Sequence, residues 1–366
     1  MTELINRRTF VRLSGAAGLR LGWRGREIAQ TDPAKLQLAL VGCAHIHTPG
    51  FVNLLKARRD VAVKYVWDHD AARAAKRAGE LESRAVEDVN EIWNDLEVAA
   101  VLICSETNRH PDLVFAAAKA RKHMFVEKPL ATTGRDSLAM AQAIAKANVH
   151  FTTGYFQRCS PVNLFIKEQV DRGNFGQITR VRGSNCHAGS LNGWFDTEWR
   201  WMADPKIAGV GAFGDLGTHS LDILMWLVGG VEAVAADIKA VTGRYRDCDE
   251  SGEALIRFRN GVTGTLAAGW VDVADPVSLL VSGTEGHAAV INDQLFYKTS
   301  RIPGADGKRP WTELPKGYPV PLDLFVDTVT GQQGLPLVSP LEAAARVVVM
   351  EAMYESARGR KWVRIT

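Results

Sequence analysis

The sequence predicts an α/β protein in which a doubly wound parallel sheet is followed by a second, α+β domain. From residue 36 to about residue 155, short apolar runs alternate with helical segments, which is the pattern of repeated βαβ units. The later residues contain longer β-rich runs flanked by helices, which indicates an open, mostly antiparallel sheet. A chain of 366 residues is long enough for two such domains, at about 150 residues each.

The first half starts with LQLALVG at residues 36–42, a short apolar run ending in glycine that is typical of a buried parallel strand. Thr48 and Pro49 then indicate the start of a helix. Further strands are expected in AVKYVWD, AAVLICS, HMFVEKP and VHFTTGY, with helices between them. We therefore expect residues 35–154 to form one domain.

The second half, residues 155–366, is expected to form the other domain. Its β-rich runs are QITRVRGSNCH, VEAVAADIKAV, EALIRFRNGVTGTLAAGW and PVSLLVSGTEGHAAVI. The tripeptide RNG at residues 259–261 is typical of a hairpin turn. The closing segment PLEAAARVVVMEAMYESARG has apolar residues at helical spacing, and we expect this helix to pack back on the core.

The composition excludes several classes of protein. The net charge of +3 arises mainly within the first 26 residues, so nothing indicates a nucleic-acid-binding surface. No apolar run approaches the ~18 residues of a membrane span. The five cysteines are scattered and contain no CxxC, which predicts buried, reduced thiols instead of a disulfide framework or a zinc site.

Residues 1–34 are expected to lie outside the fold. The segment NRRTFVRLSGAAGLRLG, with Arg7, Arg8 and Phe10, resembles a twin-arginine export signal, which would direct a folded protein to the periplasm or beyond. Arg20 interrupts its apolar region and no clear cleavage site follows. The alternative is a disordered basic tail on a cytoplasmic protein.

The segment VGCAHIHTPG at residues 41–50 supports two interpretations. A dinucleotide loop reads G-x-G-x-x-G, and here Gly42 retains the first glycine, whereas Ala44 and His47 replace the other two. Alternatively, His45 and His47 are metal ligands on one side of a strand. The βαβ context favours the first interpretation.

Asp68 strengthens the dinucleotide interpretation, because it ends the second strand at the spacing expected of the carboxylate that binds the adenosine ribose. A carboxylate there repels a 2′-phosphate, which predicts NAD in preference to NADP. Arg73 lies close enough in sequence to weaken that preference.

Two further motifs carry chemistry. VEKP at residues 126–129 places Glu127 and Lys128 at the carboxyl edge of the sheet, where ligands of such folds bind. GDLGTHSLD at residues 214–222 places Asp215, His219 and Asp222 on one face of a helix.

Together these motifs resemble the glucose-fructose oxidoreductase, inositol dehydrogenase and rhizopine-catabolism (Gfo/Idh/MocA) family. YFQRCSP, GTEGHAAVI and SPLEAAARVVVMEAMYESA extend the resemblance over nearly the whole chain from about residue 36. The resemblance implies an N-terminal Rossmann domain that binds NAD and a C-terminal domain that binds substrate. It also implies a homo-dimer or homo-tetramer that pairs through the open sheet.

The resemblance also implies roles for individual residues. The catalytic set would be Lys128, Asp215 and His219, and Arg158 and Arg200 would be further substrate contacts. The cofactor would be held by Gly42, Ala44, His45, Ile46, Asp68, Ser105, Asn108, His110, Glu127 and Lys128.

These residue types suit the oxidation of a secondary alcohol. We expect His219 to remove the hydroxyl proton, Lys128 to stabilise the alkoxide, and Asp215 to orient His219 or bind a second hydroxyl. With Trp194 and Trp199 close in sequence, a sugar, sugar derivative or polyol is the expected substrate. An exported enzyme would retain its NAD. The alternatives are a glycoside hydrolase or lyase that uses transient oxidation, a dinucleotide sensor and a metal-dependent hydrolase.

Overall fold

A computed structural model describes residues 35–365, so the twin-arginine-like segment lies outside the described residues. The first sheet has six parallel strands in the order β3-β2-β1-β4-β5-β6, and this order reverses direction between β1 and β4. Its strands are β1 (Leu36–Val41), β2 (Val61–Trp67), β3 (Arg84–Ala85), β4 (Val98–Ile103), β5 (His123–Val126) and β6 (Phe151–Thr153).

Helices connect these strands and cover both faces of the sheet, as expected for right-handed βαβ crossovers. They are α1 (Thr48–Ala57), α2 (Ala71–Leu81), α3 (Asn90–Asn94), α4 (His110–Lys119) and α5 (Gly134–Ala147). Strands β1 and β4 are almost entirely buried, which explains their continuous apolar sequence.

The second sheet has eight strands in the order β13-β12-β11-β7-β10-β9-β8-β14. Its pairs are antiparallel except for β7 and β10. The strands are β7 (Ile178–Cys186), β8 (Val231–Lys239), β9 (Ser251–Phe258), β10 (Thr263–Gly269), β11 (Val277–Gly283), β12 (Gly286–Ile291), β13 (Gln294–Thr299) and β14 (Val363–Arg364). The α/β class predicted from the sequence is therefore confirmed.

The remaining helices include the one that carries the candidate catalytic residues, α8. They are α6 (Pro161–Asp171), α7 (Pro205–Ala208), α8 (Ala212–Val228), α9 (Pro321–Val329) and α10 (Pro340–Gly359). Helix α8 packs closely on the second sheet. A Cβ added at Gly183 of β7 would lie only 3.1 Å from the Cβ of Ser220 in α8.

The last two helices return to the first sheet, as expected for the closing helix. Leu322 and Phe325 of α9 join the core on one face of the first sheet, and Ala344 of α10 joins the core on the other. Met350 and Met353, later in α10, belong to the core of the second sheet. Helix α10 therefore contacts both halves. Within residues 35–365, none of the helices is both long and apolar enough to cross a membrane.

The turn from β1 into α1 depends on Gly42. Its φ is +80°, and a Cβ at this position would lie 2.5 Å from the Ser105 backbone nitrogen. The turn therefore requires glycine both for its conformation and for the close approach of the chain after β4.

We expect Gly42→Ala to lower the free energy of unfolding by roughly 1–3 kcal/mol, because it forces a left-handed conformation and a clash with backbone atoms. Gly50→Ala is the matched control. A Cβ at Gly50 meets nothing within 4 Å in helix α1, so this variant should be unchanged or more stable by roughly 0.5–1 kcal/mol. Urea unfolding measures both, and equal effects would contradict the role given to Gly42.

Candidate active site

The candidate site lies where the carboxyl ends of β1, β4 and β5 meet the first turns of α8. Lys128 is the second residue after β5, and Asp215 and His219 lie on consecutive turns of α8. All three side chains are buried and line one cavity of about 300 Å³. The structure therefore brings together the three residues predicted to be catalytic, although 87 positions separate Lys128 from Asp215.

The start of α8 is fixed by two side chains from outside the helix. Asp249, between β8 and β9, accepts hydrogen bonds from the backbone N–H groups of Gly211 and Phe213. The Tyr354 hydroxyl of α10 donates to Asp249 at 2.9 Å and accepts from the Gly211 and Gly214 N–H groups. The first turn of α8 has no side-chain cap of its own, so these contacts replace one.

Lys128 and Asp215 form a buried ion pair, with 2.7 Å between Lys128 Nζ and Asp215 Oδ1. Trp270 Nε1 donates to the other carboxylate oxygen at 3.3 Å. Burial alone would raise the pKa of Asp215, but the Lys128 ammonium outweighs it and lowers that pKa to about 2. The carboxylate is therefore ionised at neutral pH and compensates the charge of Lys128.

His219 is buried beside the rings of Phe156 and Tyr155, whose centroids lie 4.9 Å and 6.0 Å from its own. Burial and the nearby Lys128 ammonium hold the pKa of His219 well below its usual value, so the ring is neutral and can accept a proton. Its Nδ1 is buried and has no hydrogen-bond partner within the part of the chain that the structure describes. The sequence offered Asp215 as the residue that orients His219, but Asp215 bonds to Lys128 and Trp270 instead.

Two residues that the sequence analysis did not assign, Asn185 and His187, complete the cavity together with Trp194, which it did name. Asn185 is the penultimate residue of β7 and donates to the Leu216 carbonyl at 3.1 Å. His187 follows β7, and its Nδ1 accepts the Gly189 N–H at 2.9 Å, so its neutral ring carries the hydrogen on Nε2. The ring of Trp194 packs 4.7 Å from that of His187. The position of Asn185 and His187 at the end of β7 was the available signal, but it does not show which way their side chains point.

The other side of the site contains a second buried carboxylate, Glu127. Its Oε1 lies 3.1 Å from His47 Nδ1, its Oε2 lies 3.8 Å from His45 Nε2, and Oε2 also accepts the Lys128 backbone N–H. Burial opposes ionisation, but the two histidines and the Lys128 ammonium keep the pKa of Glu127 well below its usual value.

His45, His47 and Glu127 have donor atoms within 4.8 Å of one another, as metal ligands would. However, His45 Nδ1 accepts the His47 backbone N–H at 3.2 Å, so the neutral ring carries its hydrogen on Nε2, the atom that faces Glu127. Burial lowers the pKa of His45 to about 3, which keeps the ring neutral. An N–H directed at a carboxylate cannot ligate a metal, so this geometry favours the phosphate-loop interpretation.

The residues around β1 and β2 fit a dinucleotide. Helix α1 begins at Thr48, six residues after Gly42. Its N-terminus has no side-chain cap and no acidic residue in its first turn, which leaves it suited to a phosphate. At the end of β2, Asp68 is buried, and its oxygens accept from the Cys43 and Asp70 N–H groups and from Arg73.

Arg73 does not create a phosphate site beside Asp68. Its Nη2 donates to Asp68 and to Glu106, both at 2.8 Å, so two carboxylates surround one guanidinium. The local charge is therefore negative, which supports NAD in preference to NADP.

The remaining predicted cofactor residues occupy different environments. Ile46 lines the reaction cavity, and Ala44 is buried with its carbonyl accepting the Trp201 Nε1–H at 3.0 Å. Ser105 packs against Gly42, and Asn108 is exposed. Both ring nitrogens of His110 face backbone carbonyls, those of Ser105 and Leu130, and the neutral ring can donate its one N–H to only one of them.

The two arginines predicted as substrate contacts do not line the reaction cavity. Arg158 forms a two-pronged pair with Asp222 and a further bond to Glu342. Arg200 is exposed and packs over the Tyr245 ring, 4.6 Å from its centroid. Trp199 packs against the core of the second sheet and does not line the cavity either.

Two family models match the chain. Residues 36–155 match a model described as an oxidoreductase family with an NAD-binding Rossmann fold. Residues 164–289 match the model of the GFO/IDH/MocA C-terminal domain.

Curated proteins and solved structures agree with these matches. The levoglucosan dehydrogenase of Pseudarthrobacter phenanthrenivorans is 31% identical over 54% of this chain, and the match spans only 55% of that enzyme. The myo-inositol 2-dehydrogenase of Thermotoga maritima is 30% identical over 63% of this chain and 67% of that enzyme. A solved levoglucosan dehydrogenase in complex with NADH and levoglucosan has the same fold, with a TM-score of 0.77 at 23% identity over 90% of this chain and 99% of that chain.

We expect Lys128→Met to lower the free energy of unfolding at pH 7 by roughly 3–5 kcal/mol, because it leaves the buried Asp215 carboxylate without its partner. In the variant, burial raises the pKa of Asp215 above its usual value. The loss should therefore be largest at neutral pH and shrink as the pH falls through that raised pKa.

Urea unfolding at about pH 7 and about pH 5 measures this pH dependence. Lys167→Met is the matched control, because Lys167 pairs with Asp171 on the surface and such pairs contribute about 0–1 kcal/mol. A Lys128→Met penalty that stays constant between the two pH values would contradict the assigned ion pair.

Proposed function

The chain belongs to the Gfo/Idh/MocA family of NAD-binding oxidoreductases, and on this premise we propose that it interconverts a secondary alcohol and a ketone on a sugar, sugar derivative or polyol. The observation that carries the proposal is the convergence of Lys128, Asp215 and His219 on one cavity at the carboxyl edge of the NAD-binding sheet. The named activities of the two relatives, on levoglucosan and on myo-inositol, support this substrate class.

Bound NAD would accept or return the hydride, and the side chains of this chain would manage the proton and the charge. His219, whose ring is neutral and lines the cavity, would take the hydroxyl proton. The Lys128 ammonium would stabilise the developing alkoxide, since it lies in a buried site where charges interact strongly. Asp215 would hold that ammonium in place. The sequence analysis expected Asp215 to orient His219 or bind a second hydroxyl, and the pairing with Lys128 replaces the first of these roles.

The cavity also contains groups suited to a polyhydroxylated ligand. The amide of Asn185 and the ring N–H of His187 offer hydrogen bonds, and Trp194 offers an aromatic face. We include in the proposal an exported enzyme that retains its NAD, and a dimer or tetramer formed through the open face of the second sheet, where Leu255 and Val277 are exposed.

One observation favours a second candidate reaction, glycoside cleavage through a transient ketone. His47, His187 and His219 all line the cavity, whereas hydride transfer from an alcohol needs only one acid-base group. In cleavage, one of these rings would remove the proton from the carbon next to the ketone as the bond to the glycosidic oxygen breaks, and the ring, once protonated, would pass a proton to the departing oxygen. Water would add across the resulting double bond, and the ketone would then take its hydride back. The neutral ring of His187 would donate a hydrogen bond from its Nε2–H to the departing oxygen.

To test the main proposal, a panel of sugars and polyols that includes levoglucosan and myo-inositol is assayed for NADH absorbance. We expect at least one substrate, and His219→Gln should lower its kcat/KM by roughly 10²–10⁴-fold. His287→Gln, a histidine of β12 bonded to Ser282, should have no effect.

The nucleotide released on denaturing the purified protein measures cofactor retention. Full activity of His219→Gln, or failure of the protein to bind NAD, would contradict the main proposal.

The second candidate predicts consumption of a glycoside in D₂O without net NADH formation, with deuterium incorporated at the carbon next to the oxidised one. His187→Phe, which removes this N–H donor, should slow this cleavage by about 10²-fold and slow hydride transfer from a free sugar far less. Stoichiometric NADH formation with the glycosidic bond intact would exclude this reaction for the substrate tested.

A further inference from the structure

A second cavity adjoins the reaction cavity on the helix-covered side of the second sheet. Its volume is about 640 Å³, which is larger than the reaction cavity and within the range of small-molecule sites. Phe156 and Asn185 line both cavities. Its walls include Ser184 and Ser278 of the sheet and Asn163 of α6.

We propose that this second cavity is a subsite for the part of the substrate that is not oxidised, and that the substrate is a sugar carrying a neutral, hydroxyl-rich substituent such as a second sugar ring. The inference rests on the proposed function, because it places the reacting ring in the cavity of Lys128 and His219. It goes beyond that function by naming an extended substrate instead of a free monosaccharide.

The lining of the second cavity selects the chemistry of this substituent. Hydroxyl and amide side chains supply both donors and acceptors, as a carbohydrate requires. Among residues 35–365, the charged side chains that line it are two carboxylates, Asp275 and Asp293, and no arginine, lysine or histidine lines it. Asp275 is fixed in place because it accepts the Cys186 backbone N–H at 2.9 Å.

Two carboxylates without a cation repel a phosphate or a nucleotide diphosphate. The same arrangement accepts hydrogen bonds from hydroxyl groups. The structure therefore favours an oligosaccharide or glycoside over a nucleotide-activated sugar.

The residues shared by the two cavities explain how one ligand would extend through both. Phe156 is partly exposed and lies against His219, so it presents one face near the reacting groups. The Asn185 side-chain amide donates to the Leu216 carbonyl of α8, which holds it at the junction between the two cavities. A ligand bridging the two cavities would pass these two side chains.

The test compares the affinities of free sugars and their disaccharides for the full-length protein by calorimetry. The pairs are glucose with cellobiose and maltose, galactose with lactose, and mannose with mannobiose. For at least one pair we expect the disaccharide to bind at least about tenfold more tightly. The corresponding sugar 1-phosphate should bind no more tightly than the free sugar.

A cavity-filling variant locates the effect. Ser278→Trp should weaken disaccharide binding by about tenfold or more and change free-sugar binding by less than about twofold. Ser278→Ala, which adds no bulk at the same position, should keep the preference for the disaccharide.

A second measurement needs no variant. Cys159 and Cys186 line the second cavity and are partly exposed, whereas Cys43, Cys104 and Cys248 are buried and serve as internal references. Burial raises the pKa of Cys159 to about 11 and that of Cys186 to about 12, so alkylation with N-ethylmaleimide is followed in mildly alkaline buffer by peptide mass spectrometry. The disaccharide should slow alkylation of both thiols, and the free sugar should not.

The outcomes separate this inference from the proposed function. Binding of free sugars with no added affinity for any disaccharide, and no protection of Cys159 or Cys186, would overturn the subsite alone. If no sugar of the panel binds, both proposals fail. A disaccharide preference that Ser278→Trp leaves intact would place the second ring elsewhere and also overturn the subsite.

Discussion

The ion pair between Lys128 and Asp215 is the interaction on which the rest of the site depends. It joins the end of β5 in the first sheet to the first turn of α8 above the second sheet, and both partners are buried. A buried ammonium without a counter-ion would be costly, so this pair fixes where the two halves can meet. Because Trp270 binds the other oxygen of Asp215, the carboxylate has little freedom to leave Lys128. Because Asp215 and His219 lie on the same helix, this ion pair also sets the distance between the Lys128 ammonium and His219.

Helix α10 holds the Asp215 side of this ion pair in position. Tyr354 of α10 connects Asp249 to the first turn of α8, and burial raises the pKa of its hydroxyl, so it remains a hydrogen-bond donor. The same helix packs on the cores of both sheets. The start of α8, and with it Asp215 and His219, is therefore positioned by a helix that itself is held at both ends. A change in how the two sheets pack would be transmitted to the reacting groups through this helix.

The sequence was sufficient for the fold and for the centre of the site, because both depend on local patterns. Alternating strands and helices predicted the parallel sheet, and the motifs around Lys128 and His219 predicted the groups that converge. It was insufficient where a side chain's partner lies far away in sequence. Arg158 looked available to a substrate, but Asp222 and Glu342 occupy its guanidinium. The orientation of His187 depends likewise on how the chain folds after β7.

The His-x-His pair illustrates how one long-range contact resolves a local ambiguity. Glu127, supplied by β5, faces both rings, and the hydrogen bond to His45 Nδ1 determines which nitrogen carries the hydrogen. Both rings are then partners of an ionised carboxylate. Glu127 lies 80 positions from His47 in the sequence, so no local pattern around the two histidines could have indicated this contact. The choice between a phosphate loop and a metal site therefore depends on a residue that only the folded chain brings to the pair.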